Sequence, residues 1–223
     1  FKDTPFDLFV TLARSDSALE AEILSRFPRA EIRVIENRGY DLGPFIDCVN
    51  RLDLDTYDFV AKLYTKRNVT DWVNYLPLSR GQWRRRLLSF CAAPRAVAQT
   101  FGMFEAHPEI GMAAHGSLIV GGSDFSERPA VREKAREEIA RFGLAMGRPE
   151  FVAGTMFMVR ASLLKPMQGK ISLADFAPVT AHEEATLAHV YERVLGYLVG
   201  AQGFRIGDTA GVRPFLLATE SLR

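Results

Sequence analysis

Two short β-forming runs separated by one helical stretch commit the start of this chain to a βαβ unit. Asp7-Leu8-Phe9-Val10-Thr11-Leu12 is apolar and rich in strand formers, and Ser15-Asp16-Ser17 follows it with turn and helix-capping residues. The helical stretch runs to about Phe27, Pro28 stops it, and Glu31-Ile32-Arg33-Val34-Ile35 then alternates polar and apolar with period two. A strand, a helix and a strand at this spacing favour parallel pairing.

The remaining chain continues the alternation. Phe45 to Leu52 reads as a helix entered through Pro44, and Tyr57 to Tyr64 as a third strand. Trp83 to Ala93 and Pro94 to Glu105 read as consecutive helices, because proline inside a helical pattern restarts it. Gly111 to Val120 is a further strand region, with Gly121-Gly122-Ser123 as a loop. Glu127 to Phe142 spaces Val131, Ala135, Ile139 and Phe142 as a surface helix does. Phe151 to Arg160 is apolar enough for one central strand. Leu187, Val190, Tyr191, Val194 and Leu198 form a helical stripe, and Gly203 to Asp208 a last edge strand. The expected class is α/β, with a mostly parallel, Rossmann-like central sheet flanked by helices.

Composition narrows the function classes. A 223-residue chain that is 48% hydrophobic buries a continuous core, and residues 1–223 read as a single domain. The net charge of +1 provides no field to draw in nucleic acid, so any anion site is local. Cys48 and Cys91 belong to no CxxC or Cys/His cluster, which points to reduced thiols in a cytoplasmic protein and away from a structural metal. No run reaches the roughly 20 apolar residues of a membrane span. The chain starts without methionine and enters a strand at once, as a domain cut from a longer polypeptide does. Peripheral membrane association would then come through the missing domains.

Open α/β sheets bind ligands beyond the carboxyl ends of their strands, and three polar clusters fall there. Asn37-Arg38-Gly39-Tyr40-Asp41 offers an amide, a cation and a carboxylate around a glycine; an ordinary strand-to-helix turn is the alternative. Lys62-Leu63-Tyr64-Thr65-Lys66-Arg67 places Lys62, Tyr64 and Lys66 on one strand face, which suits phosphate or a solvated strand end. The third cluster follows Gly154-Thr155 and comprises His182-Glu183-Glu184, then His189, Glu192 and Arg193. Those last three lie opposite the apolar stripe, either facing water or lining a cleft. Arg80, Arg84, Arg85 and Arg86 read as a wet helix face.

HExxH, GxxxxGK, GxSxG and a strand-following GxGxxG are all missing, which argues against metalloprotease, P-loop, α/β-hydrolase and Rossmann dehydrogenase chemistry. No Asp-x-Asp closes a strand either; Asp53-Leu54-Asp55 precedes one and reads as a loop.

Four segments together resemble the rhamnan synthesis F family. Asn37 to Phe45 is similar to its "NRGRD-x-x-PF", and Tyr57 to Lys66 to "YDYV-x-KLHTK". Phe151 to Arg160 is similar to "F-x-AGTMFW-x-R", and Thr186 to Arg193 to "TLAHA-x-ER". They occur in family order. Tyr40 replaces the second arginine of the first pattern, Tyr64 the histidine of the second, and Met158 the tryptophan of the third.

The resemblance implies a GT-A-like glycosyltransferase that moves rhamnose or a related deoxyhexose from a nucleotide-diphosphate sugar to a glycan or lipid-linked glycan of the cell surface. It implies Asn37, Arg38, Gly39, Asp41, Lys62, Tyr64, Thr65, Lys66, Gly154, Thr155 and Arg193 as substrate-binding residues. Glu184, His189, Glu192 and Glu183 are the candidates for deprotonating the acceptor hydroxyl. Lys62 and Lys66, with Arg38 next, would neutralise the departing diphosphate in place of a metal. Magnesium or manganese held through water by Asp41 is the alternative. A non-catalytic nucleotide-sugar- or glycan-binding module is the rival reading.

Overall fold

The computed structural model describes residues 4–65, 80–121, 129–179 and 186–211. The chain forms two compact units, Phe1–Leu52 with Met167–Ala188, and Asp53–Pro166 with His189–Arg223.

In the first unit β1 (Phe9–Leu12) pairs in parallel with β2 (Glu31–Val34), Phe9 opposite Glu31, and α1 (Ser17–Arg26) connects them. The βαβ expectation holds here. Asp16 accepts the Leu19 N–H at 3.1 Å while Glu20 reaches back to the Asp16 N–H at 3.2 Å, so helix entry is fixed by reciprocal caps. Helix α2 (Leu42–Arg51) buries Leu42, Gly43, Ile46 and Val49. Its last carbonyls need partners, and Gln168 supplies them: Nε2 donates to Val49 O at 2.8 Å and Leu52 O at 2.7 Å.

The second unit carries β3 (Phe59–Lys62), α3 (Arg80–Leu87), α4 (Pro94–Ala106), β4 (Ile110–Ala114), β5 (Ile119–Gly121), α5 (Pro129–Arg141), β6 (Glu150–Val152) and β7 (Phe157–Arg160). It is completed by α6 (Leu187–Ala201) from His189 onward and by β8 (Arg205–Asp208). Its four-stranded sheet has the order β3-β7-β4-β8, and β5 pairs separately with β6.

This sheet corrects the expectation of a mostly parallel one. Both neighbours of β7 run antiparallel to it, and only β4 and β8 are parallel. Hydrophobic period fixes that a segment is a strand but is blind to its direction. The Phe151–Arg160 run is also two strands and not one. Gly154 (φ 80°) and Thr155 (φ 50°) both adopt left-handed backbone, so β6 turns sharply before β7 begins. The carboxyl ends of β3, β4 and β8 and the amino end of β7 therefore share one edge of the sheet.

Other boundaries shift for physical reasons. The expected helix from Trp83 ends at Leu87, and Gly111–Val120 breaks at His115, whose ring caps a 3₁₀ turn over Gly116–Leu118. Glu138 lies on the inner side of α5, 8% exposed, where it accepts the buried Tyr191 hydroxyl at 2.6 Å. Among the described residues no helix is long and apolar enough to cross a membrane.

Both cysteines are free and half-buried. Burial, with Asp47 and Glu31 behind it, pushes the Cys48 thiol up to about 11, and burial pushes Cys91 up to about 11. At pH 8 only about one molecule in a thousand then carries either thiolate. Iodoacetamide labelling of the native chain is expected to accelerate about tenfold per pH unit from 8 to 10; a rate that levels off below pH 9 would refute both shifts.

Candidate functional site

Three of the four sequence motifs converge in the second unit. Lys62, the last residue of β3, is 3% exposed, and its Nζ donates to Thr155 Oγ1 at 3.0 Å. The same ammonium lies 4.9 Å from the centre of the Tyr64 ring, a cation–π contact on the strand face that alternation assigns to both residues. Thr65 is exposed, and Lys66 lies outside the described residues.

Thr155 is itself buried and held in the left-handed turn that separates β6 from β7. The turn is pinned from α6, where Glu192 Oε1 accepts the Gly154 N–H at 2.9 Å. Glu192 Oε2 accepts from Arg193 Nη1 at 2.6 Å, and that nitrogen also donates to His189 O at 3.0 Å. The Arg193 guanidinium stacks 4.6 Å from the Phe151 ring centre, at the other end of the same turn. The side chains of Glu192 and Arg193 are 18% and 10% exposed. They therefore form an internal brace, and the alternative of a solvated helix face does not hold for this pair.

Gly154 has a second constraint. A Cβ at this position would sit 2.8 Å from Trp83 Cζ2 and 2.8 Å from Leu87 Cδ2, in a backbone conformation that L side chains rarely adopt. Gly154→Ala is expected to cost about 1–3 kcal/mol from overpacking and strain together. Thermal unfolding of the purified variant checks this, and an unchanged Tm would contradict the geometry.

The Asn37–Asp41 loop belongs to the first unit and is organised by its own neighbours. Val179 N donates to Asn37 O at 2.9 Å and Gly39 N to Ala177 O at 3.2 Å, a short antiparallel clasp. Arg38 donates through Nε to Glu36 at 2.6 Å and through Nη1 to Phe176 O at 2.9 Å. Gly39 (φ 63°) has no room for a side chain, since a Cβ would lie 2.5 Å from the Phe176 ring. Tyr40 (φ 57°) follows it in the same strained region, and both line a shallow groove with Pro178, Val179 and Leu187. Asp41 stands at the N-cap position of α2 without a side-chain capping bond.

Glu183 and Glu184 lie outside the described residues, and His189 is half-buried. Among the described residues no three His, Cys, Asp or Glu side chains come together as a metal site would require.

One group escaped the sequence reading. Of the α3 arginines, Arg84 and Arg85 are exposed as a wet face should be, but Arg86 is half-buried and donates to Ser117 Oγ at 2.8 Å. Ser117 is also 3.0 Å from His115 Nδ1. The only local signal was the glycine between them: a Cβ on Gly116 would lie 2.2 Å from the Asp208 carboxylate.

Comparison with known proteins accords with these motifs. The chain is 28% identical over 187 residues to the uncharacterized protein WxcX of Xanthomonas campestris pv. campestris strain B100, and equally so to WxcX of a second strain of that pathovar. The matched region is 80% of this chain but only 25% of either relative. No solved structure matches. The sequence model of the family described as Rhamnan synthesis protein F matches residues 2–204, and the chain belongs to that family.

Proposed function

We propose that this chain is a glycosyltransferase domain acting in rhamnan-type polysaccharide synthesis, with a nucleotide-diphosphate sugar as donor. The observation that carries the reading is Lys62: a cation at the carboxyl end of β3, 3% exposed and hydrogen-bonded to Thr155. Burying an ammonium costs several kcal/mol, which a purely structural strand end has no reason to incur. Breaking the anomeric bond leaves negative charge on the diphosphate, and a fixed cation in a poorly screened site stabilises that charge more than it stabilises the bound donor.

The brace then has a mechanistic use. Glu192 holds the Gly154 N–H, Gly154 and Thr155 hold the turn, and Thr155 holds Lys62, so the cation is oriented before donor arrives. Glu192 has both carboxylate oxygens committed to this task. Deprotonation of the acceptor hydroxyl falls to Glu184 or His189.

The rival reading is a module that binds a nucleotide sugar or glycan without turnover. Tyr64 favours it, because an aromatic ring lies on Lys62 where the family pattern carries a histidine capable of proton transfer. Calorimetry with dTDP-, UDP- and GDP-sugars, followed by transfer assays with glycan and lipid-linked acceptors, separates the two. The transferase reading expects binding and turnover. Binding without turnover across these acceptors selects the module, and no affinity for any nucleotide sugar removes both.

A further inference from the structure

Beyond Lys62, the sheet edge holds a second polar group that the proposed donor chemistry does not use. Parallel strands β4 and β8 end side by side, Ala114 opposite Asp208, and their loops are tied together. Asp208 Oδ1 accepts Gly116 N and Ala210 N, each at 2.7 Å. Thr209 N donates to Ala114 O at 2.9 Å, and Ser89 Oγ lies 3.4 Å from Thr209 Oγ1. The edge thus joins the segment after α3 to the ends of β4 and β8.

Its two charged groups, Arg86 and Asp208, do not pair directly with each other. Arg86 is half-buried, and among the described residues its partner is a neutral hydroxyl, Ser117 Oγ, with no carboxylate within 4.0 Å. A guanidinium removed from water normally acquires a counter-ion. Asp208 is the nearby acid, but its Oδ1 is engaged by the two backbone N–H groups.

His115 adds a directed donor. Ser117 N lies 3.2 Å from His115 Nδ1, and a backbone N–H can only donate, so Nδ1 is the accepting nitrogen. The neutral ring then carries its proton on Nε2. Burial first, and Arg86 next, lower the His115 pKa below its usual value, while Asp208 opposes them. The ring at neutral pH is an N–H donor beside a cation that makes no direct ion pair among the described residues.

We propose that the joined ends of β4 and β8 form a second phosphoryl-binding subsite, in which Arg86 supplies the charge and His115 Nε2–H the directed hydrogen bond, and which holds a phosphate-bearing acceptor. Assignment to the acceptor rests on the transferase reading; the phosphoryl chemistry does not. Lys62 closes β3 and bonds Thr155, whereas Arg86 comes from α3 and bonds Ser117 beyond β4, so the two cations have different partners.

The test titrates the whole chain with sodium pyrophosphate, following heat and the His115 ring protons by NMR. Wild type is expected to bind, and the bound anion to raise the His115 pKa. Arg86→Gln is expected to weaken this binding about ten- to a hundredfold, the loss of a charge-assisted contact. Lys62→Met is expected to leave the His115 response intact. His115→Asn keeps an oxygen for the Ser117 N–H but shortens the distal donor, so it is expected to fold and bind more weakly, and it keeps the test valid should Arg86→Gln not fold.

Two further arms identify the source of the phosphoryl group. Arg86-dependent binding of glucose 1-phosphate supports a soluble acceptor, and Arg86-dependent association with phosphatidylcholine vesicles only when they contain phosphatidic acid supports a lipid-borne one. Absence of any pyrophosphate response at His115 in the wild type, or binding heat that Lys62→Met abolishes and both Arg86→Gln and His115→Asn leave unchanged, overturns the subsite. Loss of donor turnover in Lys62→Met with the His115 response retained supports the two sites separately; unchanged turnover there removes the Lys62 reading while leaving this one standing.

Discussion

Lys62→Met is expected to lower sugar transfer by roughly a hundred- to a thousandfold while the chain still folds. Methionine keeps the length and most of the packing of the lysine stem but removes its charge. The activity loss follows from what one preorganised electrostatic group contributes in a water-excluded site, about 3–4 kcal/mol of transition-state stabilisation. Stability is expected to fall by about 1–3 kcal/mol, because the buried Thr155 hydroxyl loses the Lys62 donor at 3.0 Å. Thr155→Val is the companion change, since it deletes the acceptor at 3.0 Å and keeps the cation. It is expected to lose about 1–3 kcal/mol of stability, because the ammonium is left short of a partner. Single-turnover rates and thermal unfolding measured on both variants decide the matter. Near-normal transfer in Lys62→Met would place the diphosphate elsewhere.

These expectations rest on a placement that the sequence conveyed only in part. Alternation was enough to put Lys62 and Tyr64 on one face of a strand end, and the structure brings them into contact. The βαβ start was legible because Asp16, Pro28 and the Glu31–Ile35 alternation are local signals. Strand direction was not, because it depends on pairings between residues about a hundred positions apart, such as Lys62 with Phe157. The break inside Phe151–Arg160 was hidden because an apolar run gives no hint of a left-handed pair, although Gly154 is the residue that permits one.

The brace was half visible for a similar reason. Helical spacing correctly put His189, Glu192 and Arg193 near one another, but it could not tell a solvated face from a buried one. That distinction was made by Phe151 and the Gly154 N–H, which come from a different motif. Arg86 and His115 were harder still. One sits in an arginine-rich helix whose other members are exposed, and the other meets Asp208 only because β4 and β8 pair in parallel.

Glu192 is one of the four candidates for deprotonating the acceptor hydroxyl, and its two substitutions are expected to separate positioning from proton transfer. Glu192→Ala leaves the Gly154 N–H and a 10%-exposed arginine without their carboxylate, which is expected to cost about 3–5 kcal/mol. Glu192→Gln can still accept the Gly154 N–H through its amide oxygen but turns an N–H₂ or a weaker oxygen toward Arg193, costing about 1–3 kcal/mol. If Glu192 positions the turn, transfer in the Gln variant falls together with donor affinity as Thr155 and Lys62 lose their register, and the acidic limb of the kcat/KM profile persists. A general base behaves differently. Its amide replacement would bind donor normally, unfold at the wild-type temperature and transfer almost nothing at any pH, with that acidic limb gone. The first pattern is the expected one: one carboxylate oxygen is 2.9 Å from a backbone N–H and the other 2.6 Å from a guanidinium, so loss of either bond is expected to disturb the turn.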